Sequence, residues 1–288
     1  MEEQMLQEQN SILLKIGSIY NSLTKAEKKV ADYVLENSNE VIYLSVTELA
    51  ERCGCGETTV IRFCRHIGLT GFQDFKLNIA KDIVRPEMNI HEQVSFEDSI
   101  DTLVQKITTE NMTALSNTVK LLSLKELERA VEAIVNANRI EFYGVGASGY
   151  TALDAKYKFL RLGLNVDAML DAHIQAISAV NLSDKDVAVG ISFSGSTKDT
   201  VETCRLAKNA GAKVICITNY ARSPITSVAD IVLLTSVRET PLRSGALTSK
   251  IAQLHVLDLL YTTVALRLKD KAVQSLNRTA KAVLEKLF

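Results

Sequence analysis

"GISFSGSTKDTVETCRLAKNAG", residues 190–211, leaves an apolar run through serine, glycine and threonine and then enters a helix-length segment. The run that opens it belongs to "DVAVGISFSGS", which has strand length and ends in turn-forming residues. Small hydroxyl residues at such a junction leave N–H groups free at the helix start, where the helix dipole favours an anion. Ser192, Ser194, Gly195, Ser196 and Thr197 are therefore a candidate anion cradle. A counterpart lies upstream, in "FYGVGASGYTALDAKYKFL", residues 142–160. There Gly144, Gly146 and Gly149 fit the G-x-G-x-x-G spacing of a dinucleotide fingerprint, with Asp167 near the place of its ribose-binding acid. Loops that follow the carboxyl ends of parallel strands meet at one edge. Hydroxyls and N–H groups converging there from two loops suit a compact phosphomonoester better than an extended dinucleotide.

Around these junctions, "RIEFYGVG", "LNVDAML", "DVAVGISFSGS", "AKVICITN" and "ADIVLLT" are strand candidates separated by helix-length segments. That alternation predicts a parallel sheet covered on both faces. The first 85 residues read as helices only. Thr24 with Glu27, and Ser45 with Glu48, fit the capping box that marks a helix start. In "SVTELAERCGCGETTVIRFCRHIGL" a short helix ends near Cys53, a turn contains Gly54, and a second helix runs from about Glu57 to Ile67. This is a helix-turn-helix pattern. Pro86 and the polar run "RPEMNIHEQVSFED" break the periodicity and predict a linker, followed by an amphipathic stretch from about Ser99 to Leu122. The expected fold class is α + α/β. An all-helical helix-turn-helix domain spans 1–85, a linker and connecting helix 86–127, and a doubly wound parallel-sheet domain with a C-terminal helix 128–288.

Composition agrees with two packed domains: 288 residues, 47% hydrophobic and 23% charged. Lys+Arg of 33 against Asp+Glu of 34 gives a formal charge of -1, so nothing global announces nucleic acid and nothing excludes a local patch. The start "MEEQMLQEQN" is acidic where a secretory signal is basic, and "LHVLDLLYTTVALRL", interrupted by His255 and Asp258, falls short of a bilayer span. A cytoplasmic protein with no membrane association is expected. Five cysteines do not suggest a disulfide framework. Cys53, Cys55, Cys64 and His66 are zinc ligands by type, but Cys64 shares a helical face with Val60, Phe63 and Ile67, the pattern of a buried hydrophobe. No metal site and no cofactor are expected, while a redox role for the Cys53/Cys55 pair stays open.

"YGVGASG" with "SFSGSTKDT" resembles the phosphosugar-binding signature of the sugar isomerase (SIS) domain, and "RSGALTSKIAQLHVLDLL" resembles that domain's final helix in regulatory proteins. "TELAERCGCGETTVIRFCRHIGLTGFQDFK" is similar to the helix-turn-helix of the RpiR/MurR family of bacterial regulators. The two matches cover roughly residues 10–85 and 128–268. The resemblance implies a transcriptional regulator of sugar metabolism, not an enzyme, with operator DNA, a phosphorylated sugar and a second copy as partners. The assembly would be a homodimer or a tetramer. It implies that Gly146, Ser148, Ser192, Ser194, Gly195, Ser196 and Thr197 bind the phosphosugar, with Glu239 and His173 as contacts to the sugar. The chain departs from the motif at Gly56, where a serine cap is common; glycine costs only about a few tenths of a kcal/mol there.

The second helix of a helix-turn-helix puts its N-terminal residues at base edges. Glu57, Thr58, Thr59 and Arg62 are thus candidate readers, with Arg65 and His66 one turn on and Lys76 and Lys81 as candidate phosphate contacts. Residues 1–85 hold ten Lys+Arg and twelve Asp+Glu, but from 62 to 85 five basic residues face two acidic ones. Two rival readings remain. A phosphosugar isomerase or lyase with an accessory helical module would need an acid/base pair at the sugar. A dinucleotide-dependent dehydrogenase would leave the second serine loop and the helix-turn-helix unexplained.

Overall fold

The structure is a computed structural model that describes residues 11–83, 94–239 and 246–284. It divides into two compact units, one of described residues up to Glu110 with Arg238, Glu239 and Ala246, the other from Asn111 to Val237 and from Leu247 onward.

The first unit opens with α1 (Ile12–Ile19), a 3-10 turn (Tyr20–Ser22), α2 (Lys25–Glu36), α3 (Ser38–Val41), α4 (Val46–Arg52), α5 (Glu57–His66) and α6 (Phe72–Ile83). Both expected capping boxes are present, Thr24/Glu27 at α2 and Ser45/Glu48 at α4. Each pairs a hydroxyl with one orphan N–H and a carboxylate with another, which fixes where the helix starts. Apolar stripes close one core, in which Val30, Leu49, Val60, Phe63, Phe75 and Ile79 are fully buried. Phe63 and Phe75 meet edge to face at 5.7 Å, the arrangement that the ring quadrupoles favour.

The second unit takes up the C-terminal part of α7 (Ile100–Leu121). It continues through α8 (Leu124–Val135), β1 (Ile140–Tyr143), α9 (Ala147–Arg161), β2 (Val166–Ala168), α10 (Ala172–Ala179), β3 (Val187–Ile191) and α11 (Lys198–Asn209). β4 (Lys213–Thr218), α12 (Pro224–Val228), β5 (Ile231–Leu234), α13 (Leu247–Leu268) and α14 (Asp270–Leu284) complete it. All five anticipated strands form, in the order β2-β1-β3-β4-β5, and every neighbouring pair is parallel.

Residues along each strand alternate between two cores. Val187, Val189, Ile191, Ile215 and Ile217 face α8, α9 and α13, whereas Ala188, Val214 and Cys216 face α10, α11 and α12. Helices on both faces of a parallel sheet are the expected doubly wound class. α13, at 22 residues, is long and apolar enough by length and composition to cross a membrane, unlike the shorter apolar run read from sequence. The difference arises because its first turns, from Leu247, add length. Its Ala252, Val256, Leu257, Leu260 and Val264 are buried in the larger core.

Candidate functional site

In the first unit α4 and α5 are joined by a four-residue turn in which Gly54 adopts φ +59°. The inner face of α5 carries Val60, Phe63 and Cys64, all fully buried. Its outer face presents Thr58, Arg62, Arg65 and His66 to solvent, with Glu57 and Thr59 half-buried. Glu57 is tied back to α4, because the Thr47 hydroxyl donates to its Oε1.

Lys76 requires a correction. It lies on the apolar stripe of α6 with Phe72, Phe75, Ile79 and Ala80, is 4% exposed, and donates from Nζ to the Leu44 carbonyl at 2.9 Å. A side chain spent inside the core does not reach a phosphate. Burial pulls its pKa down to about 8, with Glu48 working in the other direction. Lys81, one turn further on, is exposed.

In the second unit the strand order reverses direction between β1 and β3. Adjacent strands there send their following helices to opposite faces, which opens a crevice at their carboxyl ends. Tyr143, the last residue of β1, pairs with Gly190 of β3, so the two glycine-bearing loops leave the sheet side by side. In the first loop Gly144 packs against the start of α9: a Cβ on Gly144 would stand 2.8 Å from the Ser148 carbonyl oxygen, and one on Gly149 would stand 3.0 Å from the Gly144 oxygen. In the second, Gly195 has φ +62°, and a Cβ there would lie 2.2 Å from Ser223 Oγ and 2.9 Å from Thr218 Oγ1. Its carbonyl accepts from Ile225 N at 2.9 Å, pinning the loop to α12.

The hydroxyls of this loop organise one another. Ser192 Oγ and Thr197 Oγ1 are 3.2 Å apart, and Ser194 Oγ accepts from Ser196 N at 3.2 Å. Helices α1, α2, α4, α8 and α10 open on Ser11, Thr24, Ser45, Ser123 and Asp171, whose side chains accept from the first turn. α9, capped by Gly146, and α11, capped by Thr197, have no such side-chain bond. α3 and α5 lack one as well. At α9 the Gly149 N–H already bonds the Gly146 carbonyl at 3.0 Å. What sets α9 and α11 apart is that they start side by side at one sheet edge, where helix N-termini favour an anion. His173 is exposed on the first turn of α10, in the loop region after β2 at the same sheet edge. Glu239 is 8% exposed, not a solvated loop residue, and groups with the first unit. Residues 240–245, which include part of the "RSGALTSK" stretch, lie outside the described residues, as do Arg85 and Pro86.

Two side chains that sequence reading missed support the first loop. Gln253 of α13, 2% exposed, donates to Ser148 Oγ at 3.3 Å and accepts from Thr151 Oγ1 at 3.2 Å. Gln175 of α10 donates to the carbonyls of Gly144 and Met169 at 2.9 and 2.7 Å. The contacts of Gln253 with Ser148 and Thr151, and of Gln175 with Gly144, join residues far apart in sequence, where no local pattern announces them.

Asp167 is engaged by Lys156 Nζ at 2.6 Å and by its own strand's Ala168 N–H at 2.8 Å. Burial works to raise this carboxyl, but those bonds hold it below the ordinary aspartate range. The acid that a dinucleotide site would spend on a ribose is therefore occupied. Among the described residues no group of three His, Cys, Asp or Glu is arranged to hold a metal ion. Burial pushes the Cys53 and Cys64 thiols up to about 12 and raises Cys55 as well. These are protonated thiols, not the depressed ones that react readily.

Comparison with known proteins agrees with both halves of this geometry. A model of the helix-turn-helix domain of the rpiR family matches residues 10–86, and a SIS domain model matches residues 133–263. The chain is 43% identical over 272 residues to an HTH-type transcriptional regulator of Caldanaerobacter subterraneus, covering 94% of this chain and 96% of that one. It is 34% identical to the HTH-type transcriptional regulator HexR of Escherichia coli, with 96% of each chain covered. Among solved structures, Vibrio vulnificus NanR complexed with ManNAc-6P superposes with a TM-score of 0.85 at 30% identity, covering 96% of this chain and 99% of that chain. The chain belongs to the RpiR family of transcriptional regulators, a helix-turn-helix domain followed in sequence by a SIS domain.

Proposed function

We propose that this regulator binds operator DNA through α5 and senses a phosphorylated sugar in the crevice between β1 and β3. The observation that carries the sensing half is the pair of adjacent helix starts, α9 and α11, that lack side-chain caps, the first with Ser148 in its opening turn and the second preceded by Ser192, Ser194 and Ser196. Gly146, Ser148, Ser192, Ser194, Gly195, Ser196 and Thr197 hold the phosphate, and His173 is the proposed contact to the sugar. Thr58, Thr59, Arg62, Arg65 and His66 face the major groove, Lys81 meets the backbone, and Glu57 orders the start of α5. The protein acts as a homodimer or tetramer. Two-fold symmetry then predicts half-sites spaced by whole helical turns.

For a sugar phosphate to change DNA affinity, it must bind one arrangement of the assembly better than another. A difference of about 1–3 kcal/mol would alter DNA affinity about 5- to 150-fold. The test is a DNA-mobility assay on the gene's own upstream region against a panel of sugar phosphates. ManNAc-6P, the ligand in the NanR complex, comes first. One compound should change the shift, and a Ser194→Ala/Thr197→Ala variant should keep DNA binding but lose the response. Absence of DNA binding at modest salt would sink the regulator mechanism. Turnover of any panel member would instead favour a phosphosugar isomerase or lyase.

A further inference from the structure

The two oxygens of Glu27 serve different helices. Oε2 accepts from the Thr24 backbone N–H at 2.9 Å and from the Thr24 hydroxyl at 2.8 Å, closing the capping box of α2. Oε1 lies 3.4 Å from Arg62 Nε and 3.5 Å from His66 Nδ1, both on α5. Glu27 is 1% exposed, whereas the Arg62 side chain is 61% exposed. Burial works to raise the carboxyl's pKa, yet the Thr24 bonds and His66 hold it below the ordinary glutamate range, so the group is charged at neutral pH. A buried carboxylate persists when its oxygens are engaged. This one is engaged by two side chains on the solvent face of the recognition helix.

Contact through Nε leaves both terminal guanidinium nitrogens of Arg62 available, and a guanidinium reads guanine with two parallel N–H groups. Such a pair is directional, so its strength depends on how the guanidinium plane is held. An exposed arginine otherwise samples many rotamers and loses that freedom on binding. Glu27 supplies a fixed anchor from outside α4 and α5.

We propose that Glu27 is a positioning residue for base readout: from α2 it orients the Arg62 guanidinium and, through His66, the last turn of α5. Operator specificity then depends on a residue that never touches DNA. The inference rests on α5 being the helix that reads DNA.

Glu27→Gln separates the two tasks. A glutamine keeps an oxygen for the Thr24 N–H, as capping boxes allow, but turns an uncharged amide toward Arg62 and His66. Thr24→Ala does the reverse, removing the cap hydroxyl and leaving Oε1 in place. The full-length protein would select duplexes from a randomised DNA pool. Affinity for the selected duplex and each single-base variant would then be measured by fluorescence anisotropy, beside thermal unfolding of every variant. Arg62→Ala should erase discrimination at one base pair, about 5- to 150-fold. Glu27→Gln should weaken discrimination at that same base pair at least 3-fold, while Thr24→Ala keeps it even if its melting temperature falls further. Uniform weakening on all duplexes by Glu27→Gln, or unchanged discrimination, overturns the inference and leaves Glu27 a cap. If Arg62→Ala changes nothing, the DNA-reading role of α5 fails first. If Glu27→Gln does not fold, Glu27→Asp, one methylene shorter, is measured in its place and must lose discrimination at the Arg62 base pair for the proposal to stand.

Discussion

Replacing Lys76 by methionine tests how the helix-turn-helix unit is built. The ammonium is 4% exposed and satisfied by the Leu44 carbonyl. Its pKa falls from 10.5 in an open chain to about 8 in the fold. Below about pH 8 the side chain is charged in both states, and folding bears the cost of taking that charge from water. Between about 8 and 10.5 the unfolded chain holds a proton that the folded one has released, so unfolding free energy climbs with pH. Above that interval the contribution is level. The interval corresponds to about 3 kcal/mol. Lys76→Met should abolish the climb. At pH 7 it removes the buried charge but also one hydrogen bond of about 1 kcal/mol, so the variant should be between equal in stability and about 2 kcal/mol more stable.

The assay is urea unfolding of the full-length protein followed by far-ultraviolet circular dichroism at pH values from 7 to 10.5. The first unit's transition in wild type is compared with that in Lys76→Met. Thiols of the unfolded chain release protons in the same range, so the quantity that matters is the difference between the two proteins. A parallel pH dependence would refute the reasoning. A loss of about one unit in the salt slope of DNA binding would also refute it, because that is the signature of a phosphate contact.

Gly195→Ala forces a side chain into the left-handed region and against Ser223 and Thr218. The two costs together are about 2–5 kcal/mol, to be read as a lower calorimetric transition of the sheet unit, and the response to sugar phosphates should vanish with it. Gln253→Leu removes the donor to Ser148 and should raise the Kd of the responsive sugar phosphate about 5- to 10-fold by calorimetry, with little effect on DNA affinity alone. Gly56→Ser places a hydroxyl at an N-cap whose φ of -88° and ψ of 156° suit it. It should stabilise the first unit by about a few tenths of a kcal/mol in thermal unfolding and leave DNA affinity at least as high.

Short-range chemistry was plain in the sequence. The capping boxes, the Gly54 turn and the five strands each follow from residues within a few positions of one another. Lys76 shows where a plausible reading went astray. Its charge suggested a surface, yet its spacing with Phe72, Phe75, Ile79 and Ala80 already set it on the buried stripe of α6. Glu27 repeats the pattern with Val30, Ala31 and Val34 on α2. A charge that interrupts an apolar stripe at helical spacing is a group whose partner should be sought, not a group in water. Of the cradle, both loops and their hydroxyls were legible. The strand order that sets them side by side was not, and neither were Gln253 and Gln175, because these depend on contacts between elements that no local period encodes.

The sealed cysteines make the protein its own folding reporter. Cys53 and Cys64 are buried in the first unit, Cys204 and Cys216 in the second, and a Cβ on Gly190 would come within 2.4 Å of Cys204 Sγ. With no tryptophan in the chain, ordinary fluorescence offers little to follow. A thiol reagent, by contrast, reaches those sulfurs only when the surrounding unit opens. Mass spectrometry of peptides bearing each label would then time the opening of each unit separately. Cys55, half-buried at the turn before α5, would label earliest and time the local fraying of the helix-turn-helix against the breathing of the core beneath it.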